Sequence, residues 1–115
     1  MSPAPDKPLR SNQFQILLAL ADKPLHGYAI RAEVLERTDG TVNLWPGMLY
    51  RSLKGLLEEG LIRECPPPDD APSDARERHY YDISPTGQHA LATEATRMAA
   101  YVDAARQKRV LPGHV

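Results

Sequence analysis

The sequence predicts a mainly α fold with a small β component (α+β): a winged helix-turn-helix with a two-stranded wing and a C-terminal dimerisation helix. Three observations predict it. Three helix-like segments precede two short strand-like ones, which is the order of a winged helix-turn-helix. A Pro- and Asp-rich connector, "PPPDDAPSDARE", separates the strands as a wing loop would. Apolar residues then recur at heptad spacing near the end of the chain. The 115 residues, 42% hydrophobic and 25% charged, supply one compact domain with a modest core, so docking a second copy would add stability.

The elements follow in order. Three prolines in the first eight residues, with little to bury, predict a flexible tail over 1–10. "SNQFQILLALADKPLHG" gives a first helix capped by Ser11 or Asn12, with Phe14, Leu17, Leu18 and Ala21 at helical spacing and Pro24 as its stop. The second runs from His26 to Thr38, carries Tyr28, Ile30 and Val34/Leu35, and ends at the Asp39–Gly40 turn. His26 is read as a residue that orders the turn at its start. "TVNLW" is extended; Pro46 suits the first turn of a third helix and Gly60 its left-handed end.

"LIREC" and "RHYYDI" are the strand candidates, being rich in β-branched and aromatic residues. Ser84 caps the last helix, with a proline just inside and Gln88 placed as a capping-box partner. Along that helix Leu91, Ala95, Met98, Val102 and Ala105 are spaced 4, 3, 4 and 3 apart, a seam for packing on another helix. The expected division is therefore a DNA-binding winged helix over 11–83, a dimerisation helix over 84–110 and a tail over 111–115.

Composition excludes several classes. A net charge of −1 gives no global pull toward nucleic acid or acidic membranes, so such binding must arise locally. One cysteine, Cys65, forms no intrachain disulfide or zinc finger and reads as a small packed hydrophobe in a reducing compartment. No segment resembles a signal peptide, and none approaches the ~18 apolar residues of a membrane helix, so a cytoplasmic protein is expected. The four histidines show no metal-ligand spacing, and no catalytic constellation or phosphate loop is visible; no enzyme activity, metal or cofactor is expected.

The third helix carries the chemistry. At about 100° per residue, Leu49, Leu53, Leu56 and Leu57 share one arc, which turns Gly47, Tyr50, Arg51 and Lys54 outward on the next. A phenol and two cations at a helix N-terminus suit double-stranded DNA: arginine reaches guanine bidentately, lysine neutralises phosphate, and a glycine admits the backbone. Glu58 limits the patch to the N-terminal half. Trp45 is expected in the core, with stacking on an effector as its other role; Tyr101 is a candidate for the same effector or for packing between helices. Tyr80 and Tyr81 alternate faces, so one is expected buried and one exposed.

With these segments in place the chain resembles the PadR family of bacterial transcriptional regulators, through "ILLALADKPLHGYAI", "PGMLYRSLKGLLEEGLI" and "RERHYYDISPTGQHAL". The resemblance implies a homodimer on a pseudo-palindromic operator at its own or a neighbouring promoter. It also implies a repressor, dimerisation through the last helix, and release by a small aromatic or drug-like molecule bound near the dimer centre. One helix after the wing matches the short-form branch. Carried over by position, Gly47, Tyr50, Arg51 and Lys54 contact DNA from the recognition helix, and Arg76, Arg78 and His79 from the wing. Met48 departs from the Ser or Thr common in the family, and Asp69, Asp70 and Asp74 put repulsive charge on the wing. The alternative function is a winged-helix protein-interaction module without specific DNA binding.

Overall fold

The computed structural model describes residues 7–112; the outer parts of the expected tails, 1–6 and 113–115 with His114, lie outside the described residues. The elements run α1 (Ser11–Ala19), β1 (Leu25–His26), α2 (Gly27–Arg37), α3 (Pro46–Glu58), β2 (Ile62–Cys65), β3 (Tyr80–Ile83) and α4 (Pro85–Gln107). One 3-10 turn, Ser73–Ala75, lies within the Pro- and Asp-rich wing connector. The strands form one antiparallel sheet in the order β1-β3-β2.

The third strand corrects the two-stranded expectation. Two residues are too few to show a period of two, and β1 exists only because β3 offers it a partner edge, pairing Leu25 with Tyr81 and His26 with Tyr80. With strands on both edges, β3 is the central strand of the sheet. Tyr81 enters the core while Tyr80 meets the His26 ring edge-on at 5.3 Å, and both are buried, 7% and 5% exposed, where one was expected outside.

Local chemistry explains the helix ends. At α3 the Leu61 N–H reaches the Leu56 carbonyl (2.9 Å) and the Gly60 N–H that of Leu57 (3.1 Å), with Gly60 at φ 74°. This is a Schellman close, and a β-carbon at Gly60 would be strained in it. Asp39 and Gly40 end α2 the same way, with φ of 53° and 80°. His26 caps α2, its Nδ1 accepting from the Ala29 N–H at 3.1 Å, as its position suggested.

Three boundaries differ from expectation. The cap of α1 is Arg10, not Ser11 or Asn12: Gln13 Oε1 accepts the Arg10 N–H at 3.0 Å, so a side chain from inside the helix supplies the closure. The same helix ends at Ala19, five residues before Pro24, because the Leu20 N–H is shared between Ile16 and Leu17 and the Ala21 N–H turns to Leu18, tightening the last turn. Finally, Leu9 and Arg10 do not belong to a tail. Leu9 packs against the core and donates its N–H to the buried carboxylate of Glu94 at 3.1 Å.

The core sits between the helices and the inner sheet face. Ile16, Leu17 and Leu20 meet Ile30 and Val34 of α2, Leu49, Leu53 and Leu56 of α3, and Tyr81 and Ile83 of β3. Leu44, from the extended piece before α3, is fully buried among them. Truncating one of these leucines to alanine would cost about 2–5 kcal/mol, through lost transfer energy and the cavity left behind. Leu57, expected in the same stripe, is half-buried and packs on the core's edge.

Ser84 joins three elements. Its Oγ donates to the Gly60 carbonyl (2.6 Å) and accepts the Gly87 N–H (3.0 Å), and its own N–H reaches the Leu61 carbonyl (3.1 Å). Gly87, not Gln88, occupies the capping-box position, so no side chain returns to the cap. The reason is space: a β-carbon on Gly87 would lie 2.0 Å from the Leu61 carbonyl oxygen.

Candidate nucleic-acid interface

Burying Leu49, Leu53 and Leu56 rotates Gly47, Tyr50, Arg51 and Lys54 into solvent, with Glu58 exposed below them. Tyr50 is 56% exposed, and neither it nor Arg51 nor Lys54 makes a hydrogen bond or ion pair within the described residues. The face is thus two cations and a phenol with unspent hydrogen-bonding capacity, at the end of a helix whose free N–H groups favour anions. Tyr50 leans on the start of α2: its hydroxyl lies 3.1 Å from where a β-carbon on Gly27 would sit, so Gly27 leaves room for it.

The residues around this face enlarge the site beyond the sequence reading. Tyr28, the second residue of α2, is exposed, and the Arg78 guanidinium lies over its ring at 5.5 Å. The cation–π contact ties the wing to the helix in front of α3, which sequence spacing alone could not show. Arg31 donates from Nε to Asn43 Oδ1 (3.2 Å) and sits 5.5 Å over the Trp45 ring. Trp45 is 60% exposed rather than in the core, because Leu44 takes the inward position and Trp45 is left as the residue before Pro46.

The wing residues divide by role. Arg76 donates to the Pro68 and Asp69 carbonyls at 3.4 and 3.3 Å, bracing its own loop. His79 Nδ1 lies 3.1 Å from Glu64 Oε1 across the hairpin, beside the Arg63–Asp82 pair at 3.3 Å. Arg78 alone of the three is joined to α2. Burial lowers the His26 pKa below its ordinary value, the Arg78 charge adds to this and Asp74 opposes it. Burial raises the Tyr81 hydroxyl, with Glu64 and then Tyr50 contributing, and raises the Cys65 thiol, with Asp82 adding and Arg63 opposing. Cys65 is half-buried and lies outside the core cluster, rather than fully packed as expected.

The seam of α4 is divided. Leu91 packs into the chain's own core, so it is not free for a partner as expected. Beyond it, Ala95 is exposed, Met98 and Val102 are 37% and 40% exposed, Ala105 is half-buried and Tyr101 is exposed. Trp45 and Tyr101 stand on different parts of the chain, and no ring contact joins them among the described residues. No group of three or more His, Cys, Asp or Glu that could hold a metal occurs among the described residues, and no helix among them is long and apolar enough to cross a membrane.

A three-helix body, a hairpin wing and an unpaired cationic helix face define a winged-helix protein of the DNA-binding class. The chain belongs to the PadR-like family of transcriptional regulators, whose model matches residues 16–93. That family comprises regulators of transcription, not enzymes.

Two solved structures share the fold at 21% identity and TM-score 0.68. One is a transcriptional regulator from Clostridium thermocellum, matched over 84% of this chain and 87% of that one. The other is a PadR family transcription regulator from Clostridium difficile, matched over 85% and 97%. A complex structure of hsRosR-SG is similar at 25% identity and TM-score 0.65, over 93% and 89% of the two chains. A curated relative, an uncharacterized 37.1 kDa protein in a Streptomyces fradiae transposon, is 40% identical over 93 residues; the chain spans 24% of its length.

Proposed function

We propose that this chain is a cytoplasmic, homodimeric repressor that binds a pseudo-palindromic operator at its own or a neighbouring promoter. The observation that carries this reading is the α3 face, where Tyr50, Arg51 and Lys54 are exposed together with no hydrogen bond or ion pair among the described residues. Gly47 lets the backbone approach, Arg51 reads a base edge, and Lys54 and Tyr50 meet phosphates. Arg78, held on Tyr28, brings the wing toward the same duplex, with Arg76 and His79 behind it. Dimerisation uses Ala95, Met98, Val102 and Ala105 of α4, and an aromatic effector would stack on Trp45 or Tyr101. Fluorescence anisotropy on the flanking promoter DNA, against scrambled duplex over a salt series, tests it. Steep salt dependence with preference for the promoter is expected; equal weak binding to both would refute it.

The exposed acids of the wing, Asp69, Asp70 and Asp74, favour a second reading in which the scaffold docks a protein partner instead. Promoter affinity unchanged in the triple variant Tyr50→Ala, Arg51→Ala, Lys54→Ala would support that reading over the first.

A further inference from the structure

A second feature of α3 lies on the flank beside the proposed DNA surface. Met48, Ser52, Gly55 and Glu59 follow one another at helical spacing and form one wall of a cleft of about 610 Å³. The segment 7–13 forms the opposite wall, and Thr86 and Ala90 at the start of α4 close it. The volume falls within the ~300–1,000 Å³ usual for small-molecule sites. Leu9, Met48 and Leu61 supply apolar surface. The cleft's last α4 residue, Ala90, precedes the exposed seam residues Ala95 and Met98 by about 8 and 12 Å along the helix at ~1.5 Å per residue.

The charges in the cleft define what it would take. Lys7, Arg10 and Arg51 line it together with Glu58 and Glu59. Glu59 is engaged, accepting from Gln13 Nε2 at 2.9 Å. Lys7, Arg51 and Glu58 have no hydrogen bond or ion pair within the described residues. Arg51 and Glu58 are seven residues apart, about two turns, which separates their backbones by ~10 Å on one helix face. That is near the ~10 Å span of an extended tripeptide.

We propose that this cleft binds a small apolar zwitterion of tripeptide size, with its carboxylate on Arg51 and Lys7, its ammonium on Glu58 and its side chains on Leu9, Met48 and Leu61. Arg51 lies on the border between the cleft and the DNA-facing arc, so an occupant competes with DNA for the same guanidinium. The ligand site stands independently of the DNA reading; the competition rests on it.

Calorimetric titration of the full chain with Leu-Ala-Leu, its N-acetyl form and its C-amide form tests the site without DNA. The free peptide should bind, and each capped form should bind about tenfold or more weakly, because the acetyl form loses its charged contact with Glu58 and the amide form those with Arg51 and Lys7. Gly55→Leu fills open space at the cleft wall, since a β-carbon there meets nothing within 4 Å. It should abolish peptide binding while circular dichroism and promoter affinity stay unchanged. Glu58→Gln should lower free-peptide binding to that of the N-acetyl form and leave the latter unaffected. No detectable heat with any peptide, equal binding of free and capped forms, or undiminished binding to both variants overturns the site. Peptide binding without release of promoter DNA removes the competition and leaves the site in place.

Discussion

Replacing Gly87 with alanine sets two effects of opposite sign against each other. Within a helix, alanine is favoured over glycine by about 1 kcal/mol, so an unconstrained site would be stabilised. Here the new β-carbon would lie 2.0 Å from the Leu61 carbonyl oxygen, 2.9 Å from Ile83 Cγ1 and 3.0 Å from the Leu61 carbonyl carbon. Real β-carbons essentially never approach within 3.0 Å, so α4 and the turn after α3 must part by about 1 Å or more. The backbone oxygen cannot swing aside as a side chain would, since both it and the α4 start are pinned by Ser84.

Overpacking of this kind costs about 1–3 kcal/mol, and the weakened Ser84 bonds add about 1 kcal/mol each. The clash therefore outweighs propensity, with a net loss on the order of 3–5 kcal/mol. At ~2–8 °C per kcal/mol, thermal unfolding followed by circular dichroism should show a Tm lower by roughly 10 °C or more. A Gly87→Ala variant melting at or above the parent temperature would refute the reasoning.

Three further outcomes follow from the same geometry. Arg51→Ala should lose ~1–3 kcal/mol of promoter binding and relax base preference, whereas Lys54→Ala should weaken all duplexes alike and lower the salt slope by about one; anisotropy on matched and mismatched sites separates them. His26 should make folding weaker in acid. Its folded pKa lies below the unfolded value of 6.5, so the unfolded chain takes up the proton first; stability is complete above that value and declines as pH falls below it. Urea midpoints at two pH values should show that loss in the parent and less of it in His26→Asn, and parallel curves would count against it. Met98→Asp should yield a monomer by light scattering at micromolar concentration, while a dimer persisting in that variant would exclude the α4 seam.

What the sequence revealed and what it hid divide along the range of the forces involved. Pro46, Gly60 and Ser84 could be placed because each acts on its own backbone within a few residues, and the α3 leucines because a period repeats along one helix. Features that depend on distant segments were hidden. Strand β1 and the burial of Tyr80 need the pairing of His26 with residue 80. The contact of Arg78 with Tyr28 needs the wing folded back on α2. Leu91 fits a heptad seam equally well whether its partner is another chain or, as here, the chain's own core. The exposed cations and phenol of α3 were legible for a simple reason: they are whatever the leucine stripe leaves outside. Trp45 was misplaced because hydrophobicity predicts burial in general but cannot say which of Leu44 and Trp45 turns inward.

The joint at Ser84 has a further consequence. Its three hydrogen bonds and the close fit of Gly87 fix the start of α4 to the end of α3, so the two helices meet at a set angle with little play. In a dimer held together by α4, that angle acts as a gauge: it sets how far apart the two copies of α3 stand, and hence the number of base pairs between half-sites. Changes at Ser84 or Gly87 should then alter the preferred half-site spacing without touching a residue that meets DNA, making spacing a property of a corner inside each protomer.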